Sequence, residues 1–285
     1  MKSALDLVLA EPWAITETYL RAIVGIVSGE TNSDLERLQA LQAKTGKPLQ
    51  NTRAVTMRDG VAVIPVVGPM FRRANLMTEL SGATSYEMLA QDFNRAVDDG
   101  STRAIVLDWS SPGGAVSGVN ELAGMIYAAR GRKPIASYIG STAASAAYWL
   151  ATAADPGRVI MDATALVGSI GVMATFLDTR ARDEARGVKE VRFISSGAPN
   201  KNRDPLTDPE GLAALMAQID AIEDVFVASV ARHRGVSVEK VRSDFGQGGE
   251  LVGASAIAAG MAEGLGSLEG LIASRRGFFH HQMRV

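Results

Sequence analysis

Strand-length apolar runs alternate with helical segments between residues 61 and 161, and this alternation constrains the fold more than any other feature of the chain. The predicted strands cover residues 61–68, 104–109, 134–139 and 158–161, and the predicted helices cover residues 86–98, 119–129 and 143–154. Apolar strands that alternate with amphipathic helices are typical of βαβ units, in which helices cover both faces of a mostly parallel sheet. We therefore predict an α/β fold.

The regions on either side of this core are predicted to be mainly helical. Residues 1–55 form an N-terminal helical arm with helices over 16–27 and 33–43, and nothing in the arm indicates chemistry. We interpret the arm as a packing or assembly element. A strand over 191–194 and helices over 210–233, 237–245 and 254–262 complete a domain predicted to span 56–273, and residues 274–285 are predicted to be a mobile tail.

Composition and charge exclude several classes of function. The chain has no cysteine, which excludes a disulfide framework, a thiolate metal site and a cysteine nucleophile. Its net charge of −2 lacks the basic excess that is typical of a nucleic-acid-binding protein. No run of about 18 uncharged apolar residues occurs, so we expect no membrane span and a cytoplasmic protein. Neither a metal ion nor a cofactor is expected.

Two predicted strand ends carry residues suited to a binding site, since ligands of open α/β sheets collect at the carboxyl ends of strands. After the strand that ends at Trp109, Gly113 and Gly114 would let the backbone approach a substrate. Ser145 lies among alanines at the predicted start of a helix, where free backbone N–H groups suit a nucleophile whose attack creates an oxyanion. Taken alone, each motif also fits a simple turn or a serine packed in an alanine-rich helix.

A serine nucleophile needs a base, and the chain offers few. His233 lies near the end of a long helix and His280 and His281 lie in the tail, so a Ser–His–Asp triad is poorly supplied. Lysine is the known alternative, provided that burial lowers its pKa from about 10.4 by as much as 3–5 units. Lys201 lies in a loop after the strand over 191–194, which is the setting such a base requires. A lone loop lysine is otherwise a solvated charge.

The segment from Val167 to Val172 is predicted to be a short strand that contains Gly168 and Gly171. Such a strand could bind an extended peptide along its edge. Ser169, within the same segment, could hold the lysine ammonium in place. An ordinary packed strand explains these residues equally well.

Four motifs follow one another along the chain: Ser111-Pro-Gly-Gly, Ala143-Ala-Ser-Ala-Ala-Tyr, Gly168-Ser-Ile-Gly-Val and Ser196-Gly-Ala-Pro-Asn-Lys. Together they resemble the Ser–Lys peptidases of the signal peptide peptidase A family, over residues 60 to 270. The resemblance implies the Clp/crotonase-like fold of βαβ repeats with a mostly parallel sheet, preceded here by the helical arm.

The resemblance also implies a role for each candidate residue. Ser145 would attack the scissile carbonyl and Lys201 would accept its proton, with Ser169 orienting the lysine. The backbone N–H groups of Gly114 and Ala146 would form the oxyanion hole. The supporting and substrate-binding positions would be Gly113, Gly168 and Gly171. The lysine loop is one residue longer than is usual in the cellular enzymes, which leaves Lys189 as a second candidate base.

The N-terminal segment Leu9 to Thr16 resembles that of the head-maturation (prohead) proteases of tailed bacteriophages. The cellular enzymes are typically membrane-anchored, and this sequence shows no anchor, which fits the same branch. That branch implies capsid or scaffold proteins as substrates, a homo-oligomeric ring or dome, and a location in the host cytoplasm within the prohead. The alternatives are a cellular signal-peptide-peptidase-like protease, an inactive scaffold of the same fold, and an acyl-CoA hydratase on the same superfold. A Clp-type triad is disfavoured because no histidine occurs between Ala146 and Arg232.

Overall fold

The computed structural model describes residues 12–28, 47–73, 84–176, 178–189 and 191–274. The predicted helix over 33–43 and the predicted tail beyond residue 274 lie outside these ranges. The strands are β1 (Trp13–Ile15), β2 (Lys47–Pro48), β3 (Thr56–Arg58), β4 (Val61–Val67), β5 (Met70–Phe71), β6 (Thr84–Ser85), β7 (Ala104–Ser111), β8 (Gly113–Ala115), β9 (Ile135–Ala144), β10 (Val159–Met161), β11 (Leu166–Gly168), β12 (Glu250–Val252) and β13 (Gly264–Leu265).

The helices of the described ranges are α1 (Glu17–Ser28), α2 (Tyr86–Asp98), α3 (Val119–Ala128), α4 (Ala146–Ala151), α5 (Arg180–Ala185), α6 (Pro209–Arg234), α7 (Val238–Asp244), α8 (Gly253–Ala259) and α9 (Leu268–Ala273). The predicted α/β fold with its mostly parallel sheet is confirmed. Within the described ranges, no helix is long and apolar enough to cross a membrane.

The main sheet is organised around β4, β7 and β9, which run parallel to one another. The first half of β9 pairs in parallel with β10, and its last three residues pair in parallel with β11. Between these two halves the pairing of β7 with β9 shifts: Trp109 lies opposite Ile139, but Ser111 lies opposite Ala143. Such a bulge bends a strand. The carboxyl end of β9, which Ser145 follows, therefore runs at an angle to the first half of the strand.

A second, smaller sheet lies beside this end of β9, with the strand order β1-β8-β5-β6. β8 follows β7 after Pro112, pairs antiparallel with β1 and pairs in parallel with β5. Residues from the amino terminus of the described chain therefore sit in the same sheet as the Gly113–Gly114 motif.

The core is packed around α4, whose six residues are all buried. The Trp149 ring stacks on Phe226 of α6 with the ring centroids 4.4 Å apart. The Tyr148 hydroxyl donates to the carbonyl oxygen of Met261 at 2.9 Å. Burial of large side chains of this kind contributes roughly 1.5–3 kcal/mol each, so α4 is held firmly against the helices that follow it.

Several sequence predictions differ from the structure, and two of them concern the elements on which Ser145 and Lys201 were placed. The predicted helix over 143–154 begins only at Ala146, because residues 143 and 144 continue β9 and pair with β11. The predicted strand over 191–194 is wrong: these residues form no strand and are exposed to solvent. The apolar alternation there is typical of a strand, but no described sheet edge lies beside it to supply the ladder hydrogen bonds.

His233 is buried in the folded chain, where its ring stacks on Tyr127 and its Nδ1 lies 3.1 Å from the Thr152 hydroxyl oxygen. Burial, together with the nearby positive charges of Arg130 and Arg232, lowers the pKa of His233 to about 3. The unfolded chain, in which histidine has a pKa near 6.5, therefore binds the proton first as the pH falls. Stability is lost below about pH 6.5 and continues to fall towards the folded-state pKa.

We predict that His233→Gln flattens this loss. As the pH falls below about 6.5, the natural chain should lose up to about 1.4 kcal/mol of unfolding free energy per pH unit relative to the variant, which has no imidazole to protonate. Urea unfolding followed from about pH 7 to about pH 4 measures it. Parallel pH profiles for the two proteins would contradict the burial of a neutral imidazole.

Candidate active site

Ser145 forms a sharp turn between the end of β9 and the start of α4. Its φ of 52° and ψ of −120° lie in a region that glycine favours and other residues enter at a cost of about 1–3 kcal/mol. The turn is held by a hydrogen bond from the Ser145 N–H to the carbonyl oxygen of Gly168, at 2.7 Å. The Ser145 carbonyl oxygen in turn accepts from the Trp149 N–H at 3.0 Å.

Tight packing around the turn explains why alanines flank Ser145. Ala143, Ala144, Ala146 and Ala147 are all fully buried, and a larger side chain at any of them would meet the surrounding core. The sequence predicted Ser145 in the first helical turn, whereas it lies one residue before the helix. Ser145 itself is 1% exposed, and its hydroxyl lies 3.5 Å from the carbonyl oxygen of Gly171.

Gly113 and Gly114, in β8, occupy positions where close backbone contacts leave no room for a side chain. Gly113 has a φ of 110°, and a Cβ on it would overlap the carbonyl oxygen of Ala14 and lie 3.0 Å from that of Ala144. A Cβ on Gly114 would overlap the carbonyl oxygen of Met70. Gly113 is therefore next to Ala144, the residue that precedes Ser145, and Gly114 follows it in β8.

The Gly168 segment borders the same turn on its other side. The last residues of β9 pair with β11, and Gly168 has a φ of 132° with no room for a Cβ, which would lie 2.5 Å from the carbonyl oxygen of Gly249. The strand predicted over 167–172 ends at Gly168, because Ser169 has a φ of 53° and turns the chain. The Ser169 N–H donates to the Gly249 carbonyl oxygen at 2.8 Å.

Lys201 lies in an exposed turn, whereas Ser145 is buried, and no hydrogen bond joins the two residues. Its backbone N–H donates to the carbonyl oxygen of Ala198 at 3.1 Å, and its ammonium makes no hydrogen bond or ion pair with any residue that the structure describes. Lys189, the second candidate base, is also exposed. The fold thus brings together the predicted serine and glycine positions but not the predicted lysine.

A cavity of about 460 Å³ opens next to the Ser145 turn. Ile170, Gly171 and Val172 line one side of it, and residues of α6, α7 and the loop after α7 line the other. These are Glu223, Val227, Val241, Arg242, Phe245, Gln247 and Gly248. Sequence reasoning missed this cavity, since nothing local in α6 or α7 indicates contact with residues 170–172.

Sequence reasoning also missed β1, which lies in the cleft between β8 and Met173. Trp13 and Met173 form a β-bridge in which each backbone N–H donates to the other residue's carbonyl oxygen, at 2.8 and 2.9 Å. On its opposite edge, β1 pairs with Gly113–Ala115. All three residues of β1 are buried, and an apolar run of three is too short to be recognised as a strand from sequence.

The sequence is similar to a known peptidase family and to proteins of two phages. The model of peptidase family S49 matches residues 128–277. The chain is 33% identical over 215 residues to the head-tail preconnector protein GP5 of Enterobacteria phage P21, covering 75% of this chain and 42% of that protein. It is 31% identical over 250 residues to capsid assembly protease C of Escherichia phage lambda, covering 86% and 56%.

A cellular relative shows a weaker likeness. Protease 4 of Salmonella typhi is 25% identical over 251 residues, which cover 85% of this chain and 40% of that protein. In all three comparisons, the matched part spans about half the length of the curated relative.

The backbone conformation of Ser145 predicts an unusual order of stability among variants. Ser145→Gly should be more stable than Ser145→Ala by about 1–2 kcal/mol, because glycine adopts this φ and ψ without strain. Denaturant unfolding of the two purified variants measures the difference.

Ser141 provides the matched control, since it lies in β9 with an ordinary negative φ. There the order should reverse, with Ser141→Gly less stable than Ser141→Ala by roughly 0.5–1 kcal/mol. The same order at both positions would mean that Ser145 is not strained.

Proposed function

The chain belongs to peptidase family S49, and on that premise we propose that it is a serine endopeptidase with Ser145 as nucleophile and Lys201 as general base. The resemblance predicted from the four sequence motifs is confirmed at the level of the family. The assignment of individual residues to catalytic roles is our proposal.

The observation that carries the proposal is the strained turn at Ser145. A serine that merely packs in an alanine-rich helix has no need of a positive φ, and the cost of about 1–3 kcal/mol would be removed by a glycine. Such a turn suits a nucleophile, because it projects the hydroxyl at a strand-to-helix junction beside backbone N–H groups, as in the nucleophile turn of α/β-hydrolases. The strain therefore favours the nucleophile over the packed serine.

The proposed chemistry is acyl transfer in two stages. The Ser145 hydroxyl attacks the scissile carbonyl as its proton passes to the Lys201 amine, and the N–H groups of Gly114 and Ala146 stabilise the oxyanion. The lysine ammonium then protonates the leaving amine, and water hydrolyses the acyl-enzyme by the same route. Ser169 would orient the lysine, while Gly113, Gly168 and Gly171 supply backbone for the substrate.

Lys201 must move to the Ser145 hydroxyl for this chemistry. The exposed apolar surface beside Lys201 supports the idea that association with a second copy of the chain brings about this movement. Four large apolar side chains precede it on the same segment and lie in solvent: Val188, Val191, Phe193 and Ile194, with Phe193 94% exposed. We propose a homo-oligomer in which a second copy covers this segment. Covering it would also bury Lys201, which favours the neutral amine that a general base needs.

The proposed substrates are capsid or scaffold proteins during phage head maturation, in the host cytoplasm within the prohead. The names of the phage relatives support this choice, and the name of the cellular relative supports a signal-peptide-peptidase-like role as the alternative. An extended peptide would bind by adding a strand to the backbone edges beside Ser145. The cavity beside Gly171, which has both apolar and charged lining residues, would accept one of its side chains.

We predict that Ser145→Ala abolishes covalent labelling by a fluorophosphonate and that Lys201→Met slows it by about 10²–10⁴-fold, the usual contribution of a general base. Mass spectrometry of the labelled peptide measures both the rate and the site.

Lys189→Met is the matched control, because Lys189 lies on the same exposed segment and has no role in the proposed chemistry. It should be labelled at the natural rate. A Lys201→Met variant that retained the natural rate and pH profile would contradict the dyad, and the absence of labelling in every protein would favour an inactive scaffold.

A further inference from the structure

We propose that β1 occupies the substrate cleft and holds the single chain in an inhibited form. Residues Pro12 to Thr16 take the place that an extended peptide substrate would need beside Ser145. This inference rests on the proposed function of Ser145, and it concerns how access to that site is controlled.

The first observation is the pairing of β1 with the glycine motif. Trp13 lies opposite Ala115, Ala14 opposite Gly114 and Ile15 opposite Gly113, in antiparallel register. The backbone bonds that flank these three pairs run from the Val116 N–H to the Pro12 oxygen and from the Thr16 N–H to the Pro112 oxygen, both at 3.2 Å. β1 is therefore bonded along its whole length to the edge that a substrate would use.

The alternation of bonds in an antiparallel ladder then determines what faces Gly114. Hydrogen-bonded pairs recur at every second residue, so the bonded pairs on either side make Ala14 and Gly114 a hydrogen-bonded pair as well. The Gly114 N–H, which we assign to the oxyanion hole, thus faces the Ala14 carbonyl oxygen. That carbonyl stands where the scissile carbonyl of a substrate would bind.

The second observation is that β1 is bonded on its other edge too. Trp13 and Met173 exchange backbone hydrogen bonds of 2.8 and 2.9 Å, and Met173 lies two residues beyond Gly171. A peptide inserted between two backbone edges, with consecutive residues bonded to alternate sides, is the arrangement of strand addition. Ala14 is fully buried at the central position of this insertion.

The third observation is that β1 is anchored from outside the cleft. Trp13 is 2% exposed and packs edge-to-face on Phe71, with the ring centroids 5.7 Å apart. Leu20 and Ile23 of α1 belong to the same apolar cluster. Because α1 follows directly, β1 is a tethered strand that leaves the cleft only when this cluster opens, whereas a free peptide would exchange.

A reversible cross-link tests the proposal in the full chain. Trp13 and Ala115 form a non-hydrogen-bonded pair, for which the Cα atoms lie about 4.5 Å apart, within disulfide range. The chain has no other cysteine, so Trp13→Cys combined with Ala115→Cys creates a single possible disulfide. Oxidation locks β1 in the cleft, and reduction leaves it without its Trp13 anchor.

The expected result is a redox switch in fluorophosphonate labelling of Ser145. The reduced double variant should be labelled at least about tenfold faster than the natural chain, which corresponds to a weakening of β1 docking by about 1.4 kcal/mol. The oxidised form should be labelled no faster than the natural chain, and a reductant should restore the fast rate. Trp13→Cys alone should be fast in both redox states, and Ala115→Cys alone should show no switch.

Two further measurements guard against a variant that loses its fold. Ile23→Ala weakens the anchor without touching the cleft, and it too should accelerate labelling. A synthetic peptide with the sequence of residues 10–17 should slow labelling of the reduced double variant, and the same peptide with alanine in place of the tryptophan should slow it less.

Three outcomes would overturn the inhibitory role. Equal labelling of the natural, reduced and oxidised proteins at Ser145 would leave the proposed function standing and show that β1 does not block the cleft. Cleavage of the natural chain after Ala14, seen as a mass loss, would make β1 a substrate rather than an inhibitor. No labelling of Ser145 in any form, including the folded reduced variant, would remove the proposed function and this inference together.

Discussion

The backbone conformation of Ser145 is the constraint on which the rest of the site depends. Its positive φ turns the chain abruptly from β9 into α4. The bond from its N–H to the Gly168 carbonyl oxygen fixes where β11 and the residues after it must lie. The cost of about 1–3 kcal/mol is smaller than the burial of the Tyr148 and Trp149 side chains on α4, at roughly 1.5–3 kcal/mol each. The core can therefore hold the turn in its strained form.

The cleft beside Ser145 is bordered by two backbone edges that can hydrogen-bond to an extended strand. β8 and Met173 both present backbone groups that need hydrogen-bond partners, as any strand edge does. In the single chain β1 supplies those partners, and an extended substrate would satisfy the same groups. From this competition we infer that the site acts on a peptide only after its own strand has left. The exposed apolar segment before Lys201 leads separately to the proposal that the lysine acts only after a second copy has covered that segment.

Much of the fold could be predicted because its signals are local. The helix over residues 86–98 was predicted to the residue, and β4, β7 and β10 lie where continuous apolar runs indicated strands. Ser145 and the glycine pair could be found because small residues at strand ends indicate close backbone approach. The partners of β1 and the residues of the cavity could not, since pairing between distant segments leaves no periodicity to detect. Residues 191–194 have the pattern of a strand, but a strand forms only where a partner edge exists.

A structure of the protein after reaction with a fluorophosphonate would test the central claim most directly. The account predicts a phosphoryl group on the Ser145 oxygen, with one phosphoryl oxygen accepting from the N–H groups of Gly114 and Ala146. It also predicts the Lys201 amine within hydrogen-bonding distance of the Ser145 oxygen, and β1 displaced from the cleft. An adduct on another residue, or an adduct on Ser145 with Lys201 still in solvent, would contradict it.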